Sequence, residues 1–139
     1  MADRYVVDTS VLIDFYCKRE ASAKLLKVCG GRIHIPESVE KEFFGVCSNR
    51  PEWSEGLAQF QDDLGKYIKV ISMGPAEDHA YDELALKGRL SDRGELDCAA
   101  IAITHGYELL MNDNMARSDL MGSGIKVRGS DWVIREANK

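Results

Sequence analysis

The sequence predicts an α/β fold in which one mostly parallel sheet is covered on both faces by helices. Three observations carry that prediction. Short β-rich runs alternate with helical stretches along the chain. Glycine and proline punctuate the joints, as at Gly30-Gly31, Pro36 and Gly74-Pro75. The apolar runs Tyr5-Val6-Val7 and Leu109-Leu110-Met111 each end close to an aspartate, Asp8 and Asp113. Strands of an open parallel sheet deliver polar side chains to one edge in this way.

Arg4 to Val7 is expected as the first strand, followed by a helix from about Ser10. A second helix over Ala21 to Cys29 stops at Gly30-Gly31. Arg32 to Ile35 makes the next strand, ended by Pro36, and helical spacing resumes from Glu37 to Phe44. Cys47 to Trp53 contains Asn49-Arg50-Pro51 and reads as a loop before a helix over Ser54 to Leu64. Tyr67 to Ser72 is a third strand, closed by Gly74-Pro75. Helices follow over about Ala76 to Lys87 and Gly94 to His105, the latter capped by Gly106. Glu108 to Met111 and Ile125 to Arg128 supply the last strands, and Ser130 to Asn138 a closing helix. No repeat, low-complexity tract or linker interrupts this series, so residues 1–139 are expected to form a single domain.

Composition narrows the function classes. Hydrophobic residues make up 45% and charged residues 29% of the 139, as in ordinary globular proteins. A formal net charge of -5 argues against a protein that coats nucleic acid electrostatically. An enzyme that meets nucleic acid briefly is compatible with it, because bound divalent cations offset negative charge. Cys17, Cys29, Cys47 and Cys98 show no C-x-x-C pairing and lie in or beside apolar segments, which predicts free thiols in a reducing compartment. His34, His79 and His105 lack zinc-site spacing. With no signal-peptide core and no long apolar run, the expected location is the cytoplasm, away from membranes.

Four acids then stand out. Asp8 and Asp113 follow strands. Asp97 is the lone charge in the run Leu96 to Ile103, and a helix apolar on every side is normally buried. On the helix after Pro36, Val39, Phe43 and Val46 define an apolar stripe. Glu42 lies about 67° from its centre and Glu40 about 93°, at 100° per residue. Glu42 is thus best placed to look inward from the stripe's edge. Each acid also has an ordinary structural role: Asp8 as a helix cap, Asp113 as a turn residue in Asn112-Asp113-Asn114, Asp97 near a helix dipole, Glu42 as a surface glutamate. Gathered in one place, such carboxylates repel by roughly 4 kcal/mol per pair at about 4 Å and an effective dielectric near 20, unless a cation screens them. An all-oxygen donor set favours Mg²⁺ or Mn²⁺ over zinc. Ions of this kind lower the pKa of a ligated water and steady charge during in-line attack on a phosphodiester.

The stretches carrying these acids resemble, in order, the four motifs of the PIN-domain family. Val6-Val7-Asp8-Thr9-Ser10-Val11-Leu12-Ile13 is similar to the first, and Pro36-Glu37-Ser38-Val39-Glu40-Lys41-Glu42-Phe43 to the second. Gly94-Glu95-Leu96-Asp97-Cys98-Ala99-Ala100-Ile101-Ala102 resembles the third. Leu109 to Arg117, with its trailing Ala116-Arg117, resembles the fourth. The resemblance spans residues 6 to 117. It implies a three-layer α/β/α sandwich with strand order 3-2-1-4-5. It also implies divalent-metal-dependent cleavage of single-stranded RNA, with Asp8, Glu42, Asp97 and Asp113 as the catalytic and metal-binding set. Glu40 in a shifted register and Glu95 stand beside that set as further carboxylates, and Asn112 occupies a position where some relatives carry a second Asp.

A toxin of the VapC type, paired with an antitoxin and assembled as a homodimer, is the role that the resemblance suggests. Arg93, Arg117, Lys126 and Arg128 are candidates to steer the phosphate backbone. Two other readings compete. A PIN-like RNA-binding or scaffold module without turnover has no need of an intact acidic set. A receiver-like signalling domain uses a strand-end aspartate but has no use for Glu42.

Overall fold

The computed structural model describes residues 4–18, 21–88, 90, 92–113, 117–118 and 120–139. Among them, five strands form one parallel sheet: β1 (Tyr5–Val7), β2 (Ile33–Pro36), β3 (Ile68–Ile71), β4 (Glu108–Leu110) and β5 (Val127–Arg128). The spatial order is β3-β2-β1-β4-β5. The chain therefore winds outward from β1 through β2 to β3, then returns to the other side of β1 to place β4 and β5. The switch in direction falls between β1 and β4, where Val7 pairs with Leu110. In sheets of this kind the crevice beyond the carboxyl ends of the two switch-point strands is the place for a ligand.

Helices cover both faces: α1 (Thr9–Ile13), α2 (Ser22–Cys29), α3 (Glu37–Ser48), α4 (Ser54–Asp63), α5 (Pro75–Leu86), α6 (Arg93–His105) and α7 (Ser130–Ala137). A π-helical turn over Asp14–Lys18 prolongs α1. Helix α6 packs against β1, β2 and β4, and its run from Leu96 to Ala102 is buried throughout. This is why the segment carries apolar residues on every side. Gly106 ends α6 in the left-handed conformation, φ 73°, where a side chain would be strained.

Element types match the sequence reading, and several boundaries move, most by one residue. Helix α3 continues through Ser48 instead of giving way to a loop at Cys47. Val39, Phe43 and Cys47 recur every fourth residue and are all buried, so the apolar stripe holds the helix for another turn. The remaining connection contains a short 3-10 turn at Pro51–Trp53, begun by the proline. The outermost strands shorten: β3 excludes Tyr67 and Ser72, and β5 keeps only Val127 and Arg128. An edge strand has a neighbour on one side only, which leaves its ends less restrained.

Candidate active site

The switch point positions the first acid. Backbone N–H of Asp8 donates to Leu110 O at 3.0 Å, so the end of β1 stays hydrogen-bonded to β4 while the Asp8 side chain enters the crevice beyond them. Asp8 is buried, only 6% exposed. Cys98, wholly buried on α6, lies beneath it with Sγ 3.9 Å from Asp8 Oδ1. The crevice has a volume of about 470 Å³, and Asp8, Glu42, Asp92, Glu95 and Asp113 all reach it, with Asn112 at its margin.

Each of these acids is delivered by a different local device. Glu42 comes from α3 and is exposed at the rim, whereas Glu40 lines a separate apolar groove with Phe44 and Leu64. Of the two, it is Glu42, the one favoured by helical angle, that lines the crevice. Asp92 caps α6, its Oδ1 accepting from Gly94 N at 2.7 Å. Glu95 sits one turn on and shares that face. Helix α6 approaches α3 at Gly94: a Cβ there would make ordinary contacts, 3.6 Å from Val39 Cγ2 and 3.7 Å from Glu42 Oε1. The Glu42 carboxylate therefore lies against the amino end of α6, where backbone N–H groups favour an anion. Asp113 follows β4 and completes the ring of acids that line the crevice.

Asp97 is not among the residues lining this crevice, contrary to expectation. It is 2% exposed, and its Oδ2 accepts a 2.5 Å hydrogen bond from the Ser38 hydroxyl at the start of α3. Arg93 Nε lies 3.6 Å from the same oxygen. The reason is helical phase: two residues beyond Glu95, Asp97 is turned by about 200°. It braces α6 against α3, and the two residues before it on the helix's open side, Asp92 and Glu95, stand in the crevice instead.

Burial and mutual repulsion show in the titration of the site. Desolvation, opposed by the backbone N–H of Thr9 and reinforced by Glu95, Glu42 and Asp92, pushes the Asp8 carboxyl up to about 7. Glu95 is raised too, chiefly by burial and then by Asp113, Asp92 and Glu42. An anionic crevice that resists its own ionisation has the electrostatics of a cation-binding site. Its donors are all carboxylate, hydroxyl and amide oxygens, the set that suits a hard divalent ion. The buried Thr9 Oγ1, beside Asp8, has no hydrogen-bond partner. Among the described residues no three acidic, thiol or imidazole groups stand close enough together to hold a metal ion as they are placed.

A polar network missed in the sequence supports the ring from below. Asp14 Oδ2 accepts from Asn112 Nδ2 at 2.9 Å and from the Ser130 hydroxyl at 2.7 Å, while Asn112 Oδ1 accepts from Ser130 N at 2.8 Å. Three segments far apart in the chain meet there, and no local spacing signals it. Of the basic residues expected at the rim, Arg93 is engaged with Asp97, and Arg117 and Arg128 line a neighbouring hollow. Lys126 is exposed. Residues 114–116 of the fourth motif lie outside the described residues.

Comparison with known proteins agrees with this fold. Among solved structures, the chain is similar to PAE2754 from Pyrobaculum aerophilum, with a TM-score of 0.72 at 20% identity, covering 100% of this chain and 92% of that one. VapBC from Salmonella typhimurium, solved bound to DNA, gives 0.72 at 14% identity over 91% and 98%. VapBC2 from Rickettsia felis, bound to a DNA fragment from their promoter, gives 0.67 at 16% over 90% and 97%. These likenesses establish the fold. No curated protein matches the sequence. The family model for the PIN domain matches residues 5–118, which contain all five crevice acids. The chain belongs to the PIN-domain family.

Proposed function

We propose that this protein is a divalent-metal-dependent endoribonuclease that cuts single-stranded RNA at the crevice between β1 and β4. The observation that carries the proposal is the convergence of Asp8, Glu42, Asp92, Glu95 and Asp113 on one hollow, with the Asp8 carboxyl pushed up to about 7. Asp8, Glu42, Glu95 and Asp113 are the assigned ligands for Mg²⁺ or Mn²⁺, with Asp92 in reserve; Asp97 acts as a positioning residue through Ser38. A bound ion of this class supplies Lewis-acid stabilisation of a phosphodiester and an activated water. The chain's own part is to hold its carboxylates on rigid elements. Asp8 is fixed by the β1–β4 ladder, Glu95 and Asp92 by the capped start of α6, Glu42 by the α3–α6 contact. Cys98 and the apolar floor keep water away from the inner side of Asp8.

Two of the similar structures named above are VapBC proteins. This supports the toxin role with an antitoxin as partner; a homodimer as the working assembly is part of the proposal. Among the described residues no helix is long and apolar enough to cross a membrane.

The test is cleavage of defined single-stranded RNAs with Mg²⁺ or Mn²⁺ and with chelator. Cutting should require the ion and fall by about a hundredfold or more in Asp8→Asn and Glu95→Gln, the scale of losing a group that steadies transition-state charge. Cutting that continues in chelator, or in both variants, removes the proposal.

A further inference from the structure

Beside the acidic crevice lies a second hollow of about 490 Å³, lined by Arg117, Arg128 and Arg135 together with Gly129, Ser130 and Trp132. Asn112 borders both hollows, so they are adjacent. Three guanidiniums in one hollow run against a chain whose net charge is -5. The acids present are Asp14 and Asp131; Asp14 is held by Asn112 and Ser130.

The arginines are placed by specific contacts. Arg128 is anchored by Glu108 at 2.9 Å and lies over the Trp132 ring at 4.5 Å. Arg117 packs on the backbone of Gly129: a Cβ there would collide with Arg117 Nη2. The φ of Gly129 is -99°, a value open to any residue, so the glycine serves this close approach and not a turn. Buried Arg117 Nε has no hydrogen-bond partner, a donor in want of an acceptor. Arg135 extends from α7 and is exposed.

We infer that this hollow is a phosphate-binding subsite for the RNA strand, taking a phosphodiester next to the one held at the acids. The inference rests on the ribonuclease reading. A strand crossing the crevice carries a phosphate at every nucleotide, and the hollows' shared border at Asn112 sets the arginines within reach of a strand that lies over the acids. Guanidinium groups match phosphate oxygens in geometry and charge. The subsite reads backbone and not sequence. An acidic peptide has the charge but no reason to continue into a crevice lined by carboxylates.

The experiment is fluorescence anisotropy with a short labelled single-stranded RNA, in Ca²⁺ and over a range of salt, with RNA integrity checked on gels. Arg117→Ala and Arg135→Ala should each weaken binding roughly threefold or more and lower the salt slope by about 0.7. Gly129→Ala, which keeps every charge but displaces the Arg117 guanidinium, should weaken it as well. Thermal melting confirms that each variant is folded. Wild-type affinity and slope in both arginine variants overturn the subsite. So does loss of polyglutamate binding with RNA binding retained, which assigns the hollow to a protein partner. Metal-dependent cleavage is scored separately. If RNA is never cut but binding depends on the arginines, the ribonuclease reading falls and the contact site stands; if RNA is cut and the arginine variants bind normally, the subsite falls alone.

Discussion

Replacing Asp8 with asparagine should stabilise the metal-free protein at alkaline pH, although it removes a group assigned to the site. Asp8 is 6% exposed and its carboxyl is pushed from 3.8 up to about 7 by burial and the neighbouring acids. The folded state therefore holds a proton that the unfolded chain releases near pH 4. Between those values folding takes up protons, so stability from this group is fully present below about pH 4 and is lost as pH rises through about 7. The gap between 3.8 and about 7, at ~1.4 kcal/mol per pH unit, caps the loss near 4 kcal/mol. Relaxation and water entry lower such penalties, so about 2 kcal/mol is the working figure. Asparagine keeps the shape and the acceptor for Cys98 but cannot ionise. In chelator at pH 8 its melting temperature should exceed that of the wild type by roughly 5–10 °C, and the gap should close towards pH 4.5. Differential scanning calorimetry of both proteins across that range measures it. A gap that is absent, or that does not change with pH, refutes the claim that Asp8 is ionised at a cost in this crevice.

The same crowding makes Mn²⁺ or Mg²⁺ a stabiliser: titration should raise the wild-type melting temperature and leave Asp8→Asn nearly unmoved, and an equal rise in both would detach the ion from the crevice. Asp97→Asn should weaken folding by about 1–2 kcal/mol through its buried bond with Ser38. Because Asp97 lies off the crevice lining, RNA cleavage should persist in that variant while Glu95→Gln loses it; the reverse pattern would return the catalytic role to Asp97. The four cysteines are free, and Cys29, Cys47 and Cys98 are buried. Burial and the neighbouring Cys47 push the Cys17 thiol up to about 12. A thiol reagent at pH 7.5 should therefore react slowly with the native protein and with all four groups once it is unfolded, a contrast read by absorbance; rapid native labelling of several thiols would contradict the packing.

The fold was legible because each layer of the sheet imposes its own period on the sequence. Strands β1 and β4 are covered on both faces, so Tyr5 to Val7 and Leu109 to Leu110 are apolar without alternation. Helix α6, packed on three strands, shows no polar face over Leu96 to Ala102. The ends of the elements were less visible, because they depend on contacts made elsewhere. Cys47 belongs to a helix, and not to a loop, since its side chain is buried and within 3.6 Å of Cys17. The π-helical turn after α1 likewise has no local signature. It is where Tyr16 donates to the buried Asp63 at 2.6 Å, a partner far along the chain.

The site divides along the same line. Asp8, Glu42 and Asp113 meet at one crevice, as the sequence predicts, because strand ends and a clear helical stripe decide where they point. Asp97 was placed in the crevice because a lone charge in an apolar run demands a partner, and that demand is real. Asp97 Oδ2 meets the Ser38 hydroxyl, with Arg93 beside it, while its buried Oδ1 has no hydrogen-bond partner. An apolar helix offers no stripe from which to measure an angle, so nothing in the run from Leu96 to Ile103 tells which flank faces the sheet edge. The N-cap does tell. Asp92 must turn its side chain back over the first N–H groups, and it accepts from Gly94, which fixes the phase of everything that follows. Counted from that cap, Glu95 shares the open side and Asp97 falls on the α3 side. In a buried helix the capping residue, and not the run of apolar residues, is therefore the reference from which a catalytic face has to be read.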